Sequence, residues 1–259
     1  GSNAASSSSS TGGGMLGRKA GFVGLASGAS SANVLQGWEM QAGFADSPDA
    51  SPGDCNKSTD GPCEILICAT APTTGTKTAK SAGAITATGG SMPVTVTPDA
   101  TNEYAKAQDG TANLWNGGET ISIVAAGGDV PAFSTDLVAP SYIDVTSPTE
   151  PANGAPFALD RTNDLEFDWT GGGAGNLVVI LSDTHAALTC TFPTSAGTGV
   201  VPASALAVLA PTTMGNFILG AASIETLTPG DWTIQASVLS SFTWNGVVNP
   251  QTFTYQATN

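Results

Sequence analysis

Carboxylates are the only residues with side-chain chemistry that this chain carries in quantity: 21 Asp plus Glu stand against 7 Lys plus Arg and one histidine, His185. Asp164, Glu166 and Asp168 alternate with Leu165, Phe167 and Trp169. A two-residue period puts the three acids on one face of a strand, about 6–7 Å from one to the next, with the apolar residues packed beneath. Such a face attracts a divalent cation if a neighbouring loop adds oxygens, and calcium is the ion whose ligand preferences fit. A solvated face is the plainer reading, because outward strand positions are commonly charged. A second set, Asp54, Asn56, Ser58 and Asp60, offers oxygens at alternate positions of a segment ending in Gly61, somewhat like a calcium loop. It departs from the EF-hand pattern: Thr59 stands where glycine belongs, Ile65 holds the twelfth position and Lys57 brings a positive charge inside. A disulfide-tied surface turn accounts for the same residues.

Other chemistries find less support. Glycoside hydrolysis needs two carboxyl groups roughly 5–9.5 Å apart, and the acids are plentiful, but nothing in the sequence nominates a pair. His185, within Ser182-Asp183-Thr184-His185, is the one possible imidazole base; no Gly-x-Ser-x-Gly elbow accompanies it, so it reads as a loop histidine. Gly171-Gly172-Gly173 lacks the lysine and the following helix of a phosphate loop. A formal charge of -14, with Arg161 the sole basic residue after Lys106, leaves no positive groove for nucleic acid and no basic patch for anionic lipid. Apolar runs fall short of the roughly 20 residues of a membrane helix, so any membrane attachment is expected through a lipid anchor.

The aromatics divide in two. Trp169 and Trp232 sit in strand patterns and read as core. Trp115 and Trp244 each precede an Asn-Gly turn, which makes them candidates for exposed rings that stack on a glycan or anchor a protein partner. A ring folded over a sandwich edge is the commoner outcome for such tryptophans.

Four cysteines, Cys55, Cys63, Cys68 and Cys190, are consistent with two disulfides in an exported protein. Cys63 and Cys68 bracket a strand-like Glu64-Ile65-Leu66-Ile67, which separates them by roughly 16 Å on opposite faces. That is too far for a bond, since bridged Cα atoms lie about 4.4–6.8 Å apart. Two pairings remain: Cys55–Cys68 with Cys63–Cys190, or Cys55–Cys63 with Cys68–Cys190. A zinc site lacks the Cys-x-x-Cys spacing and further histidines.

These groups must be positioned by strands. Short Thr, Val, Ile and Ala runs punctuated by Gly, Pro, Asn and Asp predict an all-β chain. Strands are expected near Gly37–Ala45, Glu64–Ala69, Ala84–Thr88, Pro93–Thr97, Glu119–Ala125 and Phe133–Leu137. In the second half they are expected at Leu165–Trp169, Leu177–Leu181, Thr189–Phe192, Phe217–Ile224, Trp232–Leu239 and Gln251–Gln256. The near-continuous apolar run Leu177–Leu181 suits a strand covered on both faces. One helix is expected over 202–209, opened by Pro202. Residues 1–14 read as a cloning scar followed by a flexible Ser/Gly tether, 15–139 as a first β-sandwich domain and 140–259 as a second, immunoglobulin-like one.

Leu227-Thr228-Pro229-Gly230-Asp231-Trp232-Thr233-Ile234 resembles the turn-then-strand signature near the end of immunoglobulin-like and fibronectin-like sandwiches. Cys63–Ile67, Leu114–Ile121, Gly127–Phe133 and Leu165–Gly171 look like segments of a group of uncharacterised Gram-negative lipoproteins. The resemblance implies an exported protein of two β modules and brings no catalytic residue with it. The expectation is therefore a monomeric, non-catalytic protein, secreted or lipid-anchored at the outer membrane, periplasm or cell surface, that binds a protein or glycan through its loops. The alternative is an extracellular polysaccharide hydrolase using a carboxylate pair. No cofactor is expected beyond a possible calcium ion.

Overall fold

β-Branched residues in short runs, broken by turn formers, favour a pleated sheet over a helix, and sheets are what form. The computed structural model describes residues 19–30, 35–49, 54–70, 75–109, 113–151, 155–245, 247–248 and 252–258. In chain order the first strands are β1 (Lys19–Ser30), β2 (Leu35–Asp46), β3 (Asp54–Asp60), β4 (Cys63–Thr70), β5 (Thr78–Ala79), β6 (Ile85–Thr88) and β7 (Val94–Val96). Next come β8 (Tyr104–Asp109), β9 (Thr120–Ala125), β10 (Phe133–Val138), β11 (Ile143–Ser147), β12 (Phe157–Asp160), β13 (Leu165–Gly171) and β14 (Asn176–Ser182). The last are β15 (Ala186–Pro193), β16 (Thr198–Val201), β17 (Thr212–Leu227), β18 (Thr233–Ser240), β19 (Phe242–Trp244), β20 (Val247–Val248) and β21 (Thr252–Thr258). The tether assigned to residues 1–14 lies outside the described residues.

Three sheets hold these strands, and none closes into a barrel. The largest has 12 strands, ordered β3-β4-β15-β14-β17-β18-β1-β2-β5, with β8 beside β2 and the pair β12-β21 beside β17. A four-stranded sheet, β10-β9-β6-β7, packs on one end of it, and a five-stranded sheet, β16-β13-β11-β19-β20, packs on the other. Val23, Met40, Ile85, Ile123, Trp232 and Ala236 fill the first interface, while Phe167, Trp169, Leu177, Val179, Phe217 and Trp244 fill the second. Two sandwiches thus stand side by side on one common sheet, joined by β17, a strand of 16 residues.

This arrangement corrects the expected tandem of domains split at 139/140. β1, from the first half, lies parallel to β18, from Ala20↔Thr233 to Ser27↔Ser240. In the opposite sense, β4 joins β15 and so contributes Cys63 and Ile65 to the second core. Neither half buries its apolar face alone, so the sheets do not part where the sequence turns Pro-rich. β11 follows directly on the expected 139/140 boundary, and the loop read around Asp54–Asp60 is the edge strand β3. The helix expected over 202–209 shrinks to one turn, α1 (Ala203–Leu206), whose Ala205 and Leu206 are buried. Among the described residues no helix is long and apolar enough to cross a membrane.

Other expectations match. β13 buries Phe167 and Trp169 and exposes Glu166 and Asp168. In β14 Leu177 to Leu181 are all buried, the odd-numbered residues in the second core and Val178 and Ile180 on the far face against Ala222. The disulfides are Cys55–Cys68 and Cys63–Cys190. Alternation along β4 turns Cys63 toward the core and Cys68 to the other face, so each sulfur meets a different partner strand.

Where the chain passes from β10 to β11, buried serines tie the two sandwiches together. Ser240 Oγ accepts from Trp115 Nε1 at 2.7 Å and donates to the Pro140 carbonyl at 2.6 Å. Ser27 Oγ accepts from the Leu114 amide at 2.7 Å and lies 2.9 Å from the Tyr142 hydroxyl. Removing the Ser240 hydroxyl strands a buried indole N–H and a buried carbonyl. Ser240→Ala is therefore expected to cost about 3 kcal/mol of unfolding free energy in chemical denaturation, at about 1–3 kcal/mol per orphaned group. A loss below roughly 0.5 kcal/mol, the ordinary surface value, would show that the network is not holding the junction.

Candidate functional site

The wet face of the five-stranded sheet carries a row of polar groups above the second core. On β11, Ile143 and Val145 point inward and Asp144 outward, flanked in register by Thr170 of β13 and Thr243 of β19. The Thr243 hydroxyl donates to Asp144 Oδ1 at 2.6 Å, which holds the carboxylate against its cross-strand neighbour. Around it lies an open cleft of about 300 Å³, lined by Tyr142, Ile143, Asp144, Thr170, Gly171, Ser241, Phe242 and Thr243. Its floor depends on Gly28, held at φ 101°, where a Cβ would fall 2.4 Å from Ser241 Oγ and 2.6 Å from the Tyr142 ring. Burial pushes the pKa of the Tyr142 phenol above its ordinary value, the Ser27 bond opposes this, and the Glu119 charge adds to it. The phenol thus stays neutral in the wall of the cleft.

Next to this cleft on the same face, Glu166 and Asp168 are exposed, as the alternation requires. Asp164 is not part of that row: it precedes β13, and its Oδ1 accepts from the Ala203 amide at 2.8 Å, at the start of α1. The Asp54, Asn56, Ser58 and Asp60 set is also dispersed. On a strand these residues stretch over about 20 Å at roughly 3.3 Å per residue, whereas calcium draws its oxygens to 2.3–2.6 Å of one point. A register shift between Asp54 and Cys55 interrupts the alternation, and Asp60 accepts from Ser204 at 2.5 Å. Among the described residues no group of three or more His, Cys, Asp and Glu is placed to hold a metal ion.

Both tryptophans named as candidates for ligand stacking are core residues, at 2% exposure for Trp115 and 0% for Trp244. Trp115 reaches under the junction to Ser240. Trp244 lies on β19, not in the turn after it, and donates to the Pro148 carbonyl at 2.5 Å. Each indole N–H has an acceptor within the protein, so the aromatic area is spent on packing. His185 is exposed in a turn whose amides, those of His185 and Ala186, donate to Asp183 Oδ1 at 2.7 and 2.8 Å. The sequence did hold a signal for the cleft: Tyr142-Ile143-Asp144-Val145-Thr146 alternates polar and apolar. The flanking prolines obscured it.

Hydrogen bonding, not burial, dominates the other perturbed carboxylates. The Thr101 hydroxyl holds Asp99 low, the Thr162 hydroxyl does so for Asp160, and Lys19 does so for Asp231. Glu119 is held low chiefly by the Asn116 amide, 2.9 Å away, with the Gly117 amide at 2.8 Å. A depressed carboxyl pKa contributes stability that is complete above the unfolded value near 4.5 and is lost as pH falls through the folded value. Glu119→Gln is accordingly expected to flatten the fall in stability below about pH 4.5, read as the difference in urea midpoint from wild type between pH 6 and pH 3. Parallel pH profiles for the two proteins would contradict this.

No family model matches the chain, and no curated protein matches it. Two solved structures are distantly similar. One is a Ca2+-stabilised adhesin with which an Antarctic bacterium reaches out and binds ice, at 13% identity and a TM-score of 0.19, covering 80% of this chain and 56% of that one. The other is from a 1.5-MDa bacterial ice-binding adhesin, at 11% identity and a TM-score of 0.19, covering 80% of this chain and 74% of that one. This chain thus spans little more than half of the first. At such scores the likenesses assign neither fold nor ligand.

Proposed function

We propose that this protein is an exported, non-catalytic component of a bacterial cell envelope, secreted or held by a lipid anchor. In this reading it binds a hydroxyl-rich ligand, a glycan or a glycosylated protein, on the wet face of its five-stranded sheet. The observation that carries the reading is Asp144, pinned by Thr243 in an open cleft bordered by Tyr142, Thr170 and Ser241. Fixed acceptors and hydroxyls on a shallow surface suit exchange of hydrogen bonds with sugar hydroxyls more than enclosure of a reacting atom. Two closed disulfides favour an oxidising compartment. A charge of -14 favours a soluble monomer with no affinity for nucleic acid.

The test is a glycan array probed with the folded protein with and without calcium, followed by calorimetry on any ligand captured. Asp144→Ala is expected to weaken binding at least tenfold, about 1.4 kcal/mol, with an unchanged melting temperature. Release of reducing sugar from a captured polysaccharide would overturn the non-catalytic reading, and an Asp144→Ala protein that binds like wild type would move the site elsewhere.

A further inference from the structure

The two strands nearest the chain ends are placed in an uncommon relation. β1 is parallel to β18, and β18 is antiparallel to β17. β21 is also antiparallel to β17 and continues along the same edge: Ser240 of β18 faces Ala221, and Thr252 of β21 faces Ile218. β1 and β21 therefore run in the same direction within one sheet. The Lys19 end of β1 lies toward the Leu227 end of β17, because Ala20 pairs with Thr233 and Ile234 pairs with Leu227. The outgoing end of β21 lies at the other extreme, where Ala257 pairs with Thr212. At about 3.3 Å per residue, β17 sets these two ends roughly 50 Å apart.

We propose that this fold bears tension between residues 19 and 258, with β17 as the spine. A pull on the two ends acts along the strands, while the ladder hydrogen bonds run across them. Every bond of a loaded ladder is then sheared at once, whereas a hairpin pulled at its open end gives way one pair at a time. Both terminal strands are held on two sides. β1 has β2 as its other neighbour, from Lys19↔Asp46 to Ser30↔Leu35, and β21 has β12, from Phe157↔Tyr255 to Asp160↔Thr258. Tyr255 locks β21 further: it is fully buried, and its ring closes on Gly215 of β17, where a Cβ would fall 2.2 Å from the ring.

The disulfide Cys63–Cys190 limits how far such a pull can extend the chain. It bridges a sequence separation of 127 residues, a stretch that contains the whole four-stranded sheet. Once the terminal ladders rupture, only about 110 residues outside the bridge can extend, roughly 40 nm at 3.3–3.6 Å per residue. With the bridge reduced, about 240 residues extend, roughly 85 nm. Cys55–Cys68 alters the oxidised path by only a few residues. The proposal rests on topology alone, so a failed glycan experiment leaves it intact.

Single-molecule pulling on the full chain tests it in two geometries. In one the handles sit at the two chain ends; in the other they sit at the N-terminal end and at residue 46, which opens the β1–β2 hairpin at its Lys19↔Asp46 mouth. Rupture force is expected to be several-fold higher in the first. Extension is expected to rise from roughly 40 to roughly 85 nm when a small-molecule dithiol reduces the bridge. Phe22→Pro, which removes a ladder donor from β1, is expected to lower the end-to-end rupture force by at least half. Val200→Pro, on the edge strand β16 outside the load path, is expected to leave it unchanged. Equal forces in the two geometries, or an extension indifferent to reduction, would overturn the proposal, and both readouts use the wild-type chain.

Discussion

Replacing Cys63 and Cys190 together by alanine is expected to lower the unfolding free energy by about 4–5 kcal/mol, and the same change at Cys55 and Cys68 by about 3 kcal/mol. The difference comes from the loops that are closed. Sequence separations of 127 and 13 residues remove different amounts of freedom from the unfolded chain. The longer bridge also joins β4, from the first half of the chain, to the core strand β15, so its loss frees a pairing that must otherwise be found across a long stretch of sequence. Urea titration of the two double variants checks this. Similar losses for both, or a larger loss from the short bridge, would show that native-state packing outweighs unfolded-state entropy here.

Trp244→Ala is expected to cost about 3–5 kcal/mol, the usual penalty for emptying a large aromatic site in a packed core. The indole is fully buried, meets Phe217 edge-on at 6.1 Å between ring centroids and Phe157 at 6.2 Å, and its N–H has the Pro148 carbonyl as acceptor. Truncation leaves a cavity among Phe157, Phe217 and β11 and orphans that carbonyl. An exposed, ligand-binding tryptophan would behave in the opposite way, losing affinity with almost no change in stability. Thermal and chemical denaturation of Trp244→Ala therefore separate the two roles, and a loss below about 1 kcal/mol would return the ring to the surface.

Local pattern and spacing explain why some elements are legible in the sequence. Leu165 to Trp169 declared a strand with an aromatic underside, because a period of two is local information. Leu177 to Leu181 suited a strand covered twice, because a strand packed on both faces takes a near-continuous apolar run. Distance along β4 ruled out a Cys63–Cys68 bridge for the same local reason. β1 carries little strand signal of its own because its Gly, Ala and Ser content is weak strand material; its two flanking ladders, with β18 and β2, hold it in the sheet. Pro140 and Pro148 hid β11, and Asn-Gly after Trp115 and Trp244 suggested surface where both rings are core.

The sequence by itself determined the chemistry of each strand: which face is apolar, which residues turn, and which cysteines are too far apart to bond. Only the tertiary structure decided which strands share a sheet. Partner choice between β1 and β18, between β4 and β15, and between Ser240 and Trp115 joins residues more than a hundred positions apart, and no local period encodes it. Those pairings are selected by burial of both apolar faces at once, which one long common sheet under two smaller ones achieves and two separate halves do not.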